Sequence, residues 1–199
     1  MKLLKYSAVL FSFVLLLLVG CSDKTQSPVA PSEQSLNQPI SLEKNFTRDF
    51  TAIGIPTGIY NEPIYKYPDG KKLALHYLGP VQLTAAFADG LTDLLSGTGE
   101  IEIMGIQDQV TGIGHFEGKL TITPDNAEGG VWKITFHGEP SYSPTAWEGG
   151  PGWVLPLKEL GHGNGGTING MQLVWENTVV GPLDWSIWAG SGPGNITSH

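Results

Sequence analysis

The sequence contains little cysteine and few basic residues. Cys21 is the only cysteine among the 199 residues, so no disulfide can form within the chain. There are 11 basic residues against 19 acidic ones, and beyond Gly79 only three lysines face thirteen Asp and Glu. A surface this acidic repels phosphate backbones, so we expect no nucleic-acid partner.

Long apolar runs are also absent, except for one at the N-terminus. It extends from Tyr6 to Val19 and follows two basic residues, Lys2 and Lys5. This order is typical of a secretory signal, and the run is shorter than the roughly 20 residues that a membrane-spanning helix needs. We therefore predict an export signal over residues 1–20. Because both lysines leave with it, the formal net charge would change from -8 to -10.

The apolar run ends in Leu18-Val19-Gly20-Cys21, which resembles the lipobox of bacterial lipoproteins. The resemblance implies cleavage before Cys21, a diacylglycerol on its thiol and a further acyl chain, such as palmitate, on its amine. Two or more acyl chains anchor a protein stably, at about 0.8 kcal/mol per buried CH₂. We expect a membrane-anchored protein of the cell envelope. Ser22 after the cysteine favours the outer membrane and leaves the face open.

The stretch after the cysteine is polar and has no periodic apolar face. It contains Pro28 and Pro31 among Ser, Thr, Gln and charged residues, and such a composition cannot bury enough surface to offset the entropy of ordering. We therefore predict a lipidated cysteine and disordered tether over 21–45, followed by one folded domain over 46–199.

The folded region is rich in Gly and Pro, and its apolar residues often recur at every second position. Two such segments, 115–123 and 131–137, flank a turn-rich stretch and predict an antiparallel hairpin over 113–137. Seven or eight strands of this kind favour an all-β antiparallel barrel, with a β-sandwich as the alternative. Only 85–95 indicates a short helix or a turn. The predicted inward residues of the hairpin are Phe116, Leu120, Ile122, Trp132, Ile134 and Phe136.

One segment of this hairpin carries a family resemblance. Thr111-Gly112-Ile113-Gly114-His115-Phe116-Glu117-Gly118-Lys119-Leu120-Thr121 resembles the Gly-x-Gly/Ala-x-His-Leu-Gly-x-Phe strand of small secreted bacterial barrels. Those barrels are similar in outline to the allene oxide cyclase and dirigent barrels. Glu117 departs from the pattern, and the match covers a short part of the chain. It implies a barrel and no functional residue.

The segment 138–168 is the least regular part of the folded region, and it combines aromatic and acidic residues with Gly and Pro. Long loops in compact domains often bind ligands. Flat rings can stack on a sugar and carboxylates can accept hydrogen bonds from its hydroxyls. The alternative is that Trp147 and Trp153 seal one end of the barrel. The candidate ligand-binding residues are Glu139, Tyr142, Trp147, Glu148 and Trp153.

The histidines and the search for catalytic motifs give little support for a metal site or an active site. His115 and His137 lie on the outer face of the predicted hairpin, but zinc needs three or four converging ligands at about 2.0–2.2 Å and no ligand motif is present. We expect no metal and no cofactor. There is no Gly-x-Ser-x-Gly, no His-Glu-x-x-His and, once Cys21 is acylated, no cysteine nucleophile.

These observations favour a non-enzymatic, membrane-tethered β domain that binds a ligand or partner. The alternatives are an envelope enzyme that uses carboxylates, as a hydrolase or a barrel isomerase, and a structural envelope component. The candidate partners are a glycan, a small apolar ligand or an envelope protein. An eight-stranded barrel can be filled by side chains or hold one small ligand, and we prefer the packed core. The residues predicted to fill it are Trp132, Phe136, Trp175, Trp185 and Trp188.

Overall fold

A computed structural model describes residues 45–58, 64–66 and 72–199. The predicted signal, the lipobox and all of the predicted tether except Asn45 lie outside these residues. Within the described ranges no helix is long and apolar enough to cross a membrane.

The described residues form ten strands and one 3₁₀ turn. They are β1 (Phe46–Pro56), β2 (Ile64–Lys66), β3 (Lys72–Phe87), β4 (Gly97–Asp108), β5 (Gly114–Pro124), β6 (Val131–Gly138), β7 (Ser141–Trp147), β8 (Gly150–Asn164), a 3₁₀ turn (Gly166–Ile168), β9 (Gln172–Pro182) and β10 (Ala189–Ser198).

Eight of these strands close into an antiparallel barrel. Their order is β1-β10-β9-β8-β6-β5-β4-β3, and the ring closes because β3 also pairs with β1, from Phe50 opposite Phe87 to Pro56 opposite Val81. The remaining two described strands, β2 and β7, add to β3 and β8. The predicted all-β barrel is confirmed, and the alternative β-sandwich is wrong.

The predicted hairpin over 113–137 is confirmed as β5 and β6. They pair from Phe116 opposite Gly138 to Ile122 opposite Trp132. All six predicted inward side chains are buried, because successive residues of a strand point to opposite faces of the sheet. The five aromatic side chains predicted to fill the interior are buried as well.

Of the two alternatives predicted for 85–95, the short helix is wrong and the turn is confirmed, at residues 88–89. Residues 85–87 continue β3 against β1, and an irregular segment over 88–96 follows. Asp89 accepts a hydrogen bond from the backbone N–H of Leu91, and Asp93 accepts two, from Leu95 and Ser96. Aspartates that bond their own neighbouring backbone favour turns over helices.

The barrel has two ends, which we call the lower end, where β1 begins, and the upper end, where β1 finishes. At the lower end the 88–96 segment folds inward and buries Leu94 and Leu95. The Trp132 indole N–H donates a 2.9 Å hydrogen bond to the Leu94 carbonyl and fixes that plug. The lower end is therefore closed by apolar side chains.

An ion pair between β1 and this segment also holds the segment in place. The buried Arg48 guanidinium donates to both carboxylate oxygens of Asp89, at 2.6 and 2.9 Å, and to the Thr92 carbonyl at 2.9 Å. It also lies 4.3 Å from the centre of the Phe87 ring. Arg48 is the only charged residue at the inward positions of β1, and the Asp89 carboxylate balances its charge.

The inward positions of β10 are occupied by glycine where larger neighbours need room. A side chain at Gly194 would collide with the Phe50 ring, and one at Gly190 would meet the Asn177 amide at 2.7 Å. The Gly192 carbonyl accepts a 3.0 Å hydrogen bond from the Trp175 indole. Alternating small and large side chains across neighbouring strands is how small barrels fill their interior.

The irregular loop expected over 138–168 is wrong. Most of that segment forms β7 and β8, which are joined by a tight turn at Glu148 and Gly149, both with positive φ. In β8 the odd-numbered positions from Trp153 to Gly161 are buried, which is the period-two pattern of a strand. Prolines and glycines in the segment conceal this pattern from sequence analysis.

Candidate functional site

The aromatic residues predicted as ligand contacts help to close the upper end. Trp153 is 4% exposed, and its indole N–H donates a 3.0 Å hydrogen bond to the Leu183 carbonyl. The Tyr142 ring packs edge-on against the Trp153 ring at 5.9 Å. Trp147 is half-buried, and Glu139 and Glu148 are exposed.

These five residues therefore do not form one pocket. The structure brings Tyr142 and Trp153 together but buries the Trp153 ring, so that its faces are not accessible to a stacking sugar. Glu139 precedes β7 and Glu148 follows it, and both are exposed to solvent. Glycan binding by this set stays a prediction.

A small apolar cavity lies inside the barrel instead. It holds about 30 Å³, room for about two water molecules. Its walls come from nearly all the barrel strands, and the polar side chains in them are Tyr77, Glu159 and Asn177. The apolar lining includes Leu83, Ile103, Phe116, Leu155, Leu157, Trp175, Trp185 and Trp188.

Glu159 and Asn177 form a polar pair in this apolar interior. Glu159 is 2% exposed and continues the inward series of Leu155 and Leu157 on β8, while Asn177 is 5% exposed and continues that of Trp175 on β9. The Asn177 amide nitrogen donates a 2.8 Å hydrogen bond to Oε1 of Glu159. The register of the two strands therefore places a carboxyl and an amide side by side in the core.

Burial dominates the ionisation of this carboxyl. Removal from water raises the pKa of Glu159 from 4.5 to about 7, and the hydrogen bond from Asn177 offsets only part of that rise. Near neutral pH the side chain is thus divided between its acid and its carboxylate form. A group poised in this way can donate or accept a proton under physiological conditions.

Two oxygens of the pair have no protein partner among the described residues. They are Oε2 of Glu159 and Oδ1 of Asn177. Buried polar atoms are nearly always hydrogen-bonded, and leaving one unpaired costs about 1–3 kcal/mol. A hydroxyl or amino group placed between them could donate to Asn177 and exchange a hydrogen bond with Glu159 in either ionisation form.

Three aromatic side chains separate this cavity from the upper surface. Tyr77, Trp185 and Trp188 line the interior cavity on one side and, on the other, a surface pocket of about 200 Å³ formed with Pro56, Gly58, Ser186 and Ile187. The Tyr77 and Trp188 rings meet edge-on at 5.9 Å. We call these three residues the aromatic wall.

Two of the three wall residues belong to one short segment, 183–188, between β9 and β10. Only Trp185 and Trp188 of this segment are buried. Trp185 has φ of +55°, a conformation that costs a bulky residue about 1–3 kcal/mol and that clusters at ligand clamps and switch regions. The segment is held in place by the contacts of its two indoles and by the hydrogen bond from Trp153 to the Leu183 carbonyl.

The outer face of β4, β5 and β6 carries the histidines considered for metal binding. Glu117 lies opposite His137 in the register, and the His115 ring nitrogen Nε2 is 3.9 Å from Oε2 of Glu117. All three side chains are exposed. Among the described residues no group of three or more His, Cys, Asp or Glu is arranged to hold a metal ion.

Comparisons with protein-family models, with curated proteins and with solved structures give no match to this chain. The geometry of the interior is therefore the observation that bears on function.

Glu159 and Asn177 are the residues that sequence analysis misses. The signal was present: the period-two series that runs through Leu173 and Trp175 places Asn177 inward. For Glu159 the sequence suggests the wrong face, because its neighbour Leu160 is apolar and would be expected to point inward. In the structure Leu160 is 49% exposed and Glu159 is buried.

Proposed function

We propose that this chain is a lipid-anchored envelope protein whose barrel binds a small, mostly apolar molecule carrying one hydroxyl or amino group. The observation that carries the proposal is the pair of buried, unpartnered oxygens on Glu159 and Asn177, two residues that line an otherwise apolar cavity. Ligand sites are commonly apolar with a few polar groups that fix orientation. A polar group of the ligand would satisfy both oxygens, and its apolar part would contact the surrounding side chains.

The cavity of about 30 Å³ is too small for such a molecule unless the aromatic wall moves. Displacement of segment 183–188 would join the interior to the surface pocket on the other side of the wall. In this proposal the structure with the 30 Å³ cavity is the closed conformation of the barrel. The positive φ of Trp185 supports this view, since relief of the strain would offset part of the cost of opening.

A probe series tests the proposal. We would titrate the full-length protein with 1-octanol, octylamine and octane, and follow tryptophan fluorescence, because Trp185 and Trp188 line the site. We expect the alcohol or the amine to bind at least tenfold more tightly than the alkane, since a hydrogen bond in a buried site contributes about 1.5 kcal/mol.

Two variants make the test specific. Glu159→Gln should weaken the preferred probe about tenfold, and Glu176→Gln, an exposed carboxyl on the neighbouring strand β9, should leave its affinity unchanged. Equal affinity for the three probes, or equal loss in both variants, would argue against the polar pair as the binding site.

The anchoring part of the proposal is supported by the lipobox residues Leu18-Val19-Gly20-Cys21. We place the protein in the cell envelope and favour the outer membrane. Cells grown with labelled palmitate should incorporate the label into the wild-type protein and not into Cys21→Ser. An intact Met1 and an unmodified thiol in the native protein would remove the anchor.

The ionisation of Glu159 favours a second candidate, an enzyme that moves a proton. A carboxyl whose pKa is about 7 suits a general acid or base at neutral pH. Binding alone predicts that a probe is recovered unchanged. Conversion of a bound molecule that is lost in Glu159→Gln and retained in Glu176→Gln would favour the enzyme.

A further inference from the structure

The upper end of the barrel exposes a group of large apolar side chains. Val110 and Ile113, in the turn between β4 and β5, are 75% and 74% exposed. Close to them in the fold are Tyr142 on β7 and two residues of segment 183–188, all of them exposed. Together these residues form the apolar rim: Val110, Ile113, Tyr142, Leu183 and Ile187.

Trp153 contacts all three elements that carry the rim. The buried Trp153 donates to the Leu183 carbonyl, packs against the Tyr142 ring and lies so close to Gly112 that an added Cβ there would be 3.1 Å from its indole. Trp153 thus contacts the turn between β4 and β5, strand β7 and segment 183–188, which together carry the rim. The Asp108 carboxylate also accepts backbone hydrogen bonds from Val110 and Thr111, which fixes the turn.

The charge around the rim indicates the kind of surface that it fits. The turns over 109–113, 147–150 and 183–188 contain no basic residue, and Glu148 and Asp184 are exposed in them. The three turns therefore offer no cation to an anionic surface, and their own contact depends on apolar burial. Among the described residues, the nearest basic ones at this end are Lys66 on β2 and Lys72 on β3, which lies opposite Asp108. An uncharged lipid headgroup region accepts exposed Val, Ile, Leu and Tyr, and Tyr is enriched there.

The chain before β1 is long enough to let the upper end reach a membrane. Residues 22–44 separate Cys21 from the described barrel, and β1 begins at the lower end. For the upper end to face the membrane, these residues would have to span at least the height of the barrel. An 11-residue strand tilted as in small barrels gives a height of about 30 Å. Fully extended, residues 22–44 span at most about 80 Å.

We propose that the apolar rim inserts into the zwitterionic lipid surface in which Cys21 is anchored, an inference that rests on the lipid anchor of the proposed function. Insertion would bring Ile187 and the surface pocket beside it against the lipid. The aromatic wall would then separate the interior cavity from the bilayer. A ligand could pass between bilayer and barrel without crossing water.

Site-directed labelling tests the orientation, because Cys21 is the only native cysteine and its thiol is acylated in the mature protein. We would place a nitroxide at Val110→Cys, Ile113→Cys and, as control, Asn126→Cys, an exposed position at the lower end. Each full-length lipoprotein would be reconstituted in phosphatidylcholine vesicles. The readout is the accessibility of the label to oxygen, which concentrates in lipid, relative to a water-soluble nickel chelate.

We expect the ratio of oxygen to nickel accessibility to be several-fold higher at positions 110 and 113 than at position 126. Equal ratios at all three positions, in protein that floats with the vesicles, would overturn the rim inference and leave the anchor intact. Protein that does not float would overturn the anchor and the inference together. Mutual broadening of labels at position 113 on different copies would identify a protein interface and would also overturn it.

A substitution pair tests the role of the rim itself. With the label at Ile187→Cys, Val110→Ser combined with Ile113→Ser should lower the ratio several-fold. Leu160→Ser, at an apolar position on the side of the barrel that is 49% exposed, should not change it. Near-ultraviolet circular dichroism of each variant shows that the barrel is folded, and an unchanged ratio in the folded double variant would contradict the inference.

Discussion

The Trp185 indole N–H donates a 3.1 Å hydrogen bond to Oε1 of Gln107, a glutamine that is fully buried near the end of β4. The two residues are 78 positions apart, and their bond connects segment 183–188 to the barrel. The Trp185 ring also packs against Phe116 at 5.5 Å. This bond is one of the polar contacts that hold the aromatic wall in its closed position, together with the Tyr77 hydroxyl bond to the Gly58 carbonyl and the Trp153 bond to the Leu183 carbonyl.

Replacement of Gln107 should loosen that wall. Gln107→Leu keeps a similar volume but leaves the buried Trp185 N–H without a partner, which costs about 1–3 kcal/mol. We expect stability to fall by less than that amount, because the substitution also removes the Gln107 amide nitrogen, which is buried and has no partner among the described residues. We also expect acrylamide to quench tryptophan fluorescence more strongly. Gln82→Leu is the control, because Gln82 is half-buried and bonds the Gly97 carbonyl away from the wall. Equal quenching in the two variants would show that Gln107 does not hold the segment.

The buried carboxyl of Glu159 predicts an unusual dependence of stability on pH. Its pKa is 4.5 when unfolded and about 7 when folded, so between these values the folded state binds more protons and stability decreases as pH rises. At 1.36 kcal/mol per unit the total loss is on the order of 3 kcal/mol.

Glu159→Gln isolates this effect from that of the other carboxyls. The variant should match the wild type near pH 4 and exceed its unfolding free energy by on the order of 3 kcal/mol above about pH 7. Urea denaturation across this range measures the difference. A difference that stays constant with pH would mean that Glu159 is not buried as described.

Much of the barrel could be predicted from the alternation of side chains, and the reason for the failures is local. In 115–123 and 131–137 every inward position is apolar, so the faces are unambiguous. In β8 the strand contains Pro151, Pro156 and several glycines, which are typical of loops, and Glu159 occupies an inward position. The site was missed because a polar residue in the core breaks the pattern that identifies the core.

The Arg48–Asp89 pair predicts the opposite pH dependence at the acid end. Hydrogen bonds from Arg48 lower the pKa of Asp89 from 3.8 to about 2, so the stability that this carboxylate provides is present above about pH 4 and is lost as pH falls towards 2. Asp89→Asn should be less stable than the wild type above pH 4, with the difference disappearing near pH 2. Asp125→Asn, an exposed position at the same end, serves as control, and a difference that persists at pH 2 would contradict the pairing.

The last prediction uses two glycines that face each other across β1 and β10. Gly54 and Gly190 are register partners, and both approach the interior site. A Cβ at Gly190 would lie 2.7 Å from Nδ2 and 2.8 Å from Oδ1 of Asn177, so the amide must move, whereas a Cβ at Gly54 would meet Leu83 and Trp175 at an ordinary 3.6 Å. We expect Gly190→Ala to disturb the polar pair and Gly54→Ala to preserve it.

Displacement of the Asn177 amide removes the hydrogen bond that stabilises the Glu159 carboxylate, which raises the pKa of Glu159 further. Gly190→Ala should therefore shift the pH-dependent loss of stability to higher pH and weaken the preferred octyl probe about tenfold, since a hydrogen bond to a charged group contributes about 1.5–3 kcal/mol. Urea denaturation and the fluorescence titration measure the two effects, and identical behaviour of the two alanine variants would show that Asn177 does not set the properties of Glu159.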